Sequence, residues 1–289
     1  MKLLIIGHSV VDHIFEGGNE KIFPGGIHYA SIGFRSMQEP NDNISLITST
    51  SKDDSKYFEK AFSNFELKFS NPIEAIPHVN LYMDPNKERI EHYKNSAEPL
   101  KLSEDINLNE FDGIYINMIT GNDLLPEQFV YLRNNFGGKI YLDVHTLSRG
   151  SGRDQHRFFR KIPDAESYLQ SVDVIQVNEL ELQTLTPFNE KDKIIDAVFA
   201  LGVEILIITK AEKGAEVFTK EGTHFSIDAM RVNSVNKVGC GDVFGSVFFY
   251  SYLSSNDLEK SFSLANKAAG IVTTYTKEEQ FINLKNDII

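Results

Sequence analysis

Asn236-Lys237-Val238-Gly239-Cys240-Gly241-Asp242-Val243-Phe244 is the stretch that decides how this chain is read. Two glycines and a small residue stand immediately before an apolar run with helical spacing, Val243, Phe244, Val247, Phe248 and Leu253. Small residues let a backbone come close to a ligand, and the first N–H groups of a helix have no partner inside it. Together with the helix dipole they form an anion site. An Asp at such a helix start, here Asp242, can accept a proton while the N–H groups hold developing negative charge. Taken alone, the pattern is equally that of a helix start whose glycines serve close packing. It is neither of two phosphate motifs: G-x-x-x-x-G-K-[ST] is absent, and Gly239, Gly241 and Gly245 miss G-x-G-x-x-G by one residue.

Upstream, short apolar segments alternate with amphipathic ones. Residues 3–7, 44–48, 113–117, 139–143, 172–177 and 205–209 are rich in Ile, Val, Leu and Tyr and read as central strands covered on both faces. Residues 27–37, 53–63, 126–135 and 191–201 carry helical patterns between them. This alternation predicts an α/β fold with a mostly parallel sheet and right-handed crossovers. Two stretches break the rhythm. Residues 13–23 hold Gly17-Gly18 between Ile14-Phe15 and Ile22-Phe23, and residues 79–93 hold Asp84-Pro85-Asn86 between two part-alternating segments. Both read as β-hairpins, enough for a small flap beside the main sheet. A last strong helix is expected from Asn256, with Glu259 completing a capping box and Leu258, Phe262, Ala265, Ala269 and Val272 at helical spacing.

A chain of 289 residues sits near the upper limit of one hydrophobic core, so a single domain is expected over 1–289. The lone Cys240 can form no internal disulfide, which suits a reducing, cytoplasmic setting. No apolar run approaches the ~20 residues of a bilayer span. The apolar start before Gly7 is too short for a signal-peptide core and reads as a strand. With 29 Lys+Arg against 41 Asp+Glu, the net charge of −12 disfavours nucleic acid and anionic membranes as partners. It leaves open an anionic small molecule held by backbone N–H groups.

The N-terminus changes the weight of the signature. Gly7 and Asp12 follow the first strand, and Pro24-Gly25-Gly26 opens the first helix. Asn178-Glu179-Leu180-Glu181 follows the strand at 172–177, Ile207-Ile208-Thr209-Lys210-Ala211-Glu212-Lys213-Gly214 reads as strand and turn, and Ala265-Asn266-Lys267-Ala268-Ala269 lies in the last helix. In this order, and over nearly the whole chain, these pieces resemble the ribokinase-like (PfkB) family of small-molecule kinases. The resemblance implies a ribokinase-like α/β fold, with a mostly parallel central sheet, helices on both faces, and the two hairpins as a small β lid that excludes water. It implies transfer of the γ-phosphate of ATP to a hydroxyl of a sugar or related polyol, with a nucleoside as the close variant. Asp242 would be the catalytic base, and the N–H groups around Gly239, Cys240, Gly241 and Asp242 the anion hole. Asp12, Gly25 and Gly26 would bind the substrate. Asn178, Thr209, Gly214 and Asn266 would serve the nucleotide, and Glu181 would act through Mg²⁺ and its waters. A homodimer through the lid is implied as well. A non-catalytic ligand-binding or regulatory protein on a kinase scaffold is the reading from another class; a NAD-dependent dehydrogenase is disfavoured by the missing dinucleotide fingerprint.

Several positions depart from the family pattern. Asn236-Lys237 stands where Asp-Thr is usual, in a region that helps hold a monovalent cation in some relatives. The Lys237 ammonium is expected to supply that charge, giving activity without added K⁺. Thr273-Thr274-Tyr275-Thr276-Lys277 replaces a Gly-containing loop, and Ala211 replaces a Gly. Ala30 stands where many sugar kinases carry a substrate-binding Asn; His28 and Tyr29 are the candidates to replace it, a packed Tyr29 being the plainer reading of that residue. His8, Asp12, His13 and His28 lack metal-site spacing. The basic cluster Arg149, Arg153, Arg157, Arg160 and Lys161 reads as a solvated loop and helix face. Cys240 reads as a small residue of the anion hole, where oxidation would block phosphate binding.

Overall fold

Six of the apolar runs pair side by side in parallel. A computed structural model of the chain describes residues 1–82, 90–152 and 157–289. Its main sheet has eight strands in the order His224–Ile227, Ala215–Thr219, Ile205–Thr209, Val174–Asn178, Lys139–Asp143, Gly113–Asn117, Lys2–Ile6 and Asn43–Ile47. From Ile205–Thr209 to Asn43–Ile47 every neighbour is parallel. The strands are apolar on both sides because both faces are covered. Phe34, Phe248, Phe249 and Phe262 pack on one face, and Phe129, Leu132, Ile194 and Val198 on the other. The fold is therefore a ribokinase-like α/β layering, with helices Ile27–Met37, Cys240–Ser255 and Leu258–Val272 on the first face. Pro126–Asn135 and Lys191–Ala200 lie on the second.

Three local expectations change. The edge strands Ala215–Thr219 and His224–Ile227 join antiparallel and were not foreseen. Their half-buried alternation gives no continuous apolar run to read. The segment 53–63 forms only a 3₁₀ turn, Ser55–Tyr57, and one helical turn, Glu59–Phe62. Asn256 does not open the last helix but closes the one before it. It adopts φ 53° and donates its N–H to the Tyr252 carbonyl at 2.8 Å, a conformation Asn tolerates. Asp257 is the N-cap and accepts the Lys260 N–H at 2.9 Å.

A second sheet runs Asn19–Gly26, Ser9–Glu16, His78–Tyr82, Ile90–Tyr93. The first expected hairpin is present and longer than 13–23, with Gly17 and Gly18 at φ +57° and +83°, as a tight primed turn requires. Its length makes Gly25-Gly26 the end of a strand, with Gly26 as the N-cap of the first helix. The second hairpin pairs His78–Tyr82 with Ile90–Tyr93. Its Asp84-Pro85-Asn86 turn lies outside the described residues, as does Arg153. Val10, Val79, Leu81 and Tyr93 pack with Ile119 into a small core of their own. On the opposite face a chain of rings ties this sheet to the body. Glu20 Oε1 lies 2.6 Å from His13 Nδ1, His13 Nε2 lies 2.9 Å from His78 Nδ1, and His78 Nε2 lies 3.4 Å from Asp54 Oδ1.

Candidate functional site

At the C-terminal ends of three central strands the apolar runs end in polar residues. Asn117, Asp143 and Gln176 are register partners across those strands, so they form one row on one face. Tyr115 and Tyr141 stack behind them with ring centroids 4.9 Å apart. The helix Cys240–Ser255 begins over this row. Its N-cap, Gly239, has φ +79°, and a Cβ there would stand 2.1 Å from the Tyr29 ring, so only glycine fits. The first intrahelical bond runs from the Val243 N–H to the Gly239 carbonyl at 3.0 Å; the N–H groups of Cys240, Gly241 and Asp242 precede it.

The polar row holds this first turn in place. Asn117 Nδ2 donates to Asp242 Oδ1 at 2.6 Å. Gln176 Nε2 donates to the Gly241 carbonyl at 3.0 Å and to Asp143 Oδ2 at 3.2 Å, while Tyr141 donates to Gln176 Oε1 at 2.7 Å. Gly245 lets the helix lie this close, since a Cβ there would meet the Gln176, Tyr115 and Tyr141 oxygens at 2.9 Å. Asp143 is buried. That burial, with the negative charges of Asp242 and Glu181, pushes its carboxyl well above the usual range.

Two cavities meet here. A cleft of about 1140 Å³ runs along the strand ends and the helix start, and a pocket of about 40 Å³ lies under the second sheet. Asp242, Gly239 and His145 line both. Cys240, Gly241, Asn178, Thr209, Glu181 and Asn266 line the cleft. Asn178 and Glu181 cap each other: Asn178 Oδ1 accepts the Glu181 N–H at 2.9 Å, and Glu181 Oε2 accepts the Asn178 N–H at 2.8 Å. Asn266 Nδ2 donates to the Asp228 carbonyl at 3.0 Å and so anchors the loop that forms one cleft wall. Gly214 does not line the cleft; it makes the turn beside it, at φ +90°, where a Cβ would strike the Ile227 carbonyl at 1.9 Å. Ala211, in the same turn, has φ +49°, a conformation that favours the Gly it replaces.

The small pocket is lined by Asp12, Gly26, Tyr29, Glu91 and Tyr93 among others. Gly25 lies beneath Asp12, whose carboxylate oxygen would be 2.1 Å from a Cβ on Gly25. His28 is not in this lining. It is buried in the body, edge-on to Tyr29 and Phe58, and burial with the nearby Arg35 charge pushes its imidazole down to about 3. The helix turns the next residue, Tyr29, toward the pocket instead. Ala30 is part of the core.

The signature's departures also find places. Lys237 lines the cleft but is exposed, with Nζ 3.7 Å from Glu212 Oε2. The Thr273 carbonyl accepts the N–H groups of Val235 at 2.8 Å and Asn236 at 3.0 Å, docking the signature loop on the end of the last long helix. The basic cluster is no helix face. Arg149–Ser151 pairs with Arg157–Phe159, and Arg157 lies 4.4 Å over the Tyr93 ring while donating to the Thr120 carbonyl at 2.8 Å. Lys161 donates to the Gln183 and Phe188 carbonyls. Asn117, Gln176, Glu91 and His145 were missed as site residues. The signal available was a polar residue ending an apolar run, which a turn produces equally well.

A large cleft and a small pocket meet at a helix-start carboxylate on this sheet, the arrangement expected of the ribokinase-like fold. The solved structures agree on the fold. A pyrophosphate-dependent kinase of the ribokinase family superposes with TM-score 0.77 at 17% identity, covering 95% of each chain. A putative ribokinase II from E. coli, in complex with ATP and Mg²⁺, superposes with TM-score 0.74 at 15% identity, covering 99% of this chain and 98% of that one. Residues 154–281 match the model of the pfkB family of carbohydrate kinases, so the resemblance to that family stands over that segment, which contains the signature. A deoxyribokinase from Salmonella typhi is 34% identical over 129 residues, 40% of this chain and 41% of that protein. The chain thus matches about two fifths of that relative's length.

Proposed function

We propose that this chain is a cytoplasmic kinase, one catalytic unit over 1–289, that transfers the γ-phosphate of ATP to a hydroxyl of a sugar or related polyol. The observation that carries this reading is that Asp242 stands on the wall shared by the large cleft and the small pocket, at the start of a helix. An acceptor hydroxyl in the pocket, held by Asp12 over Gly25-Gly26, lies beside that carboxylate. Asp242 accepts the hydroxyl proton as the oxygen attacks the γ-phosphorus. The bond to the β-phosphate oxygen breaks and ADP leaves through the cleft. The N–H groups of Cys240, Gly241 and Asp242 hold the charge on the moving phosphoryl group. The second sheet acts as the lid that keeps water from competing.

A cleft of about 1140 Å³ with Met230, Val232 and Ala269 on its walls supports a nucleotide donor over bare pyrophosphate. Glu181, Asp143, Asn178 and Gln176 offer the cleft oxygen donors suited to a hard cation. Burial, with the negative charges of Asp242 and Glu181, raises the Asp143 carboxyl, a penalty that a divalent cation relieves, so these residues fit Mg²⁺. Glu181 would hold it together with the donor phosphates, where it neutralises phosphate charge. Ile22, Tyr82 and Ile90 are exposed on the second sheet and supply an apolar surface for a homodimer through the lid.

The test is ADP release with ribose, deoxyribose, fructose, myo-inositol and adenosine, compared with Asp242→Asn. Turnover with one acceptor, without added K⁺, and a loss of ~10²–10⁴-fold in the variant is expected. Tight binding of an acceptor with no turnover would favour the regulatory reading instead.

A further inference from the structure

Asn117 takes no part in the motifs, yet it makes the shortest side-chain contact to the candidate base. Its Nδ2 donates to Asp242 Oδ1 at 2.6 Å across 125 positions of sequence. The residue is fully buried. Its other amide atom, Oδ1, is also buried and has no hydrogen-bond partner among the described residues. An amide that leaves its carbonyl unpaired in the interior weakens the fold relative to an apolar residue of the same size. The contact it does make is therefore the reason for its presence. Its backbone is pinned as well: the Asn117 carbonyl accepts the Ile119 N–H at 3.0 Å, and a Cβ on Gly7 would stand 2.8 Å from that carbonyl. The donor is thus fixed at the end of a central strand and cannot follow a moving carboxylate.

We propose that Asn117 is the positioning residue of the phosphoryl-transfer site: its amide N–H holds one oxygen of Asp242 and leaves Oδ2 to take the acceptor's proton. This rests on the kinase reading above and names what orients its base. The titratable and charged groups around Asp242 do not replace that donor. The carboxyl groups near it are Asp143 beside it, Asp12 and Glu91 across the pocket and Glu181 in the cleft. Tyr115 and Tyr141 lie behind it, and burial raises both phenols well above their usual value. His145 lines both cavities, Arg149 and Glu212 line the cleft, and Lys237 is exposed at its edge.

The experiment uses the full chain with MgATP and whichever acceptor of the panel gives the fastest ADP release. Asn117→Leu should lower kcat by ~10–100-fold while the KM values for ATP and acceptor stay within about threefold. Asn117→Asp has the same shape but places a carboxylate against Asp242 in place of the donor, so its kcat should fall further, again with little change in either KM. Variants that melt like the wild type with unchanged kcat overturn the proposal. If both variants fail to fold, the wild-type side-chain amide decides. Its ¹⁵N–¹H signal should be displaced in Asp242→Asn; an amide signal set that ignores that substitution overturns the assignment. Failure of the kinase reading looks different: no acceptor then supports turnover in the wild type, and Asp242→Asn leaves ADP release unchanged.

Discussion

The two cavities that meet at Asp242 are built by opposite means. The cleft of about 1140 Å³ is framed by backbone: the N–H groups before Val243, the Asn178–Glu181 cap, the Gly214 turn and the loop held by Asn266. The pocket of about 40 Å³ is lined by side chains from separate places, Asp12, Tyr29, Glu91 and Tyr93. A donor whose phosphates are alike from one nucleotide to the next can be read by N–H groups and a helix end. An acceptor distinguished by the placing of its hydroxyls needs side chains at fixed positions. The cleft should therefore resist substitutions that keep its backbone, and the pocket should not resist substitutions of its side chains.

The harshest way to break this division is at Gly239, one of the residues both cavities share. Gly239→Ala puts a Cβ into the Tyr29 ring at a φ of +79°. We expect it to abolish ADP release and to lower unfolding free energy by about 2 kcal/mol, read from urea denaturation. A pair of substitutions sharpens the contrast. Asp12→Ala should raise the KM of the acceptor by ~10-fold or more and leave that of ATP within about threefold. Glu181→Gln should do the reverse, raising the Mg²⁺ concentration for half-maximal rate on the order of 10-fold with the acceptor KM unchanged. Crossed effects, each variant moving the other substrate's KM, would remove the division. The mildest expected effect is Ala211→Gly. It relieves a non-glycine residue at φ +49° and should stabilise the chain by ~0.5 kcal/mol, with kinetics unchanged.

The same contrast marks how far the site could be read in advance. Gly239, Cys240, Gly241 and Asp242 were legible as a group because they are four adjacent residues at one helix start on the cleft wall, and adjacency survives in a linear string. Asn178 and Glu181 were legible for the same reason, three positions apart in one capping box. Asn117 and Gln176 were not. Each is one polar residue at the end of an apolar run, and its partner on the signature helix lies 125 or 65 positions away. His28 and Tyr29 show the other limit. Neighbours on a helix point about 100° apart, and only the packing of that helix decides which one sees the pocket.

The sequence by itself determined the six parallel strands of the main sheet, the primed turn at Gly17-Gly18 and the helix start at Gly239, because each follows from local sterics or from the period of apolar residues. Tertiary structure alone decided that Asn117, Asp143 and Gln176 form one row, since their register depends on which strands become neighbours. It also decided that this row holds Asp242 where the two cavities meet. A hydrogen bond of 2.6 Å needs both partners fixed to a few tenths of an ångström, and here only the packed sheet and helix hold residues so distant in the chain at that separation.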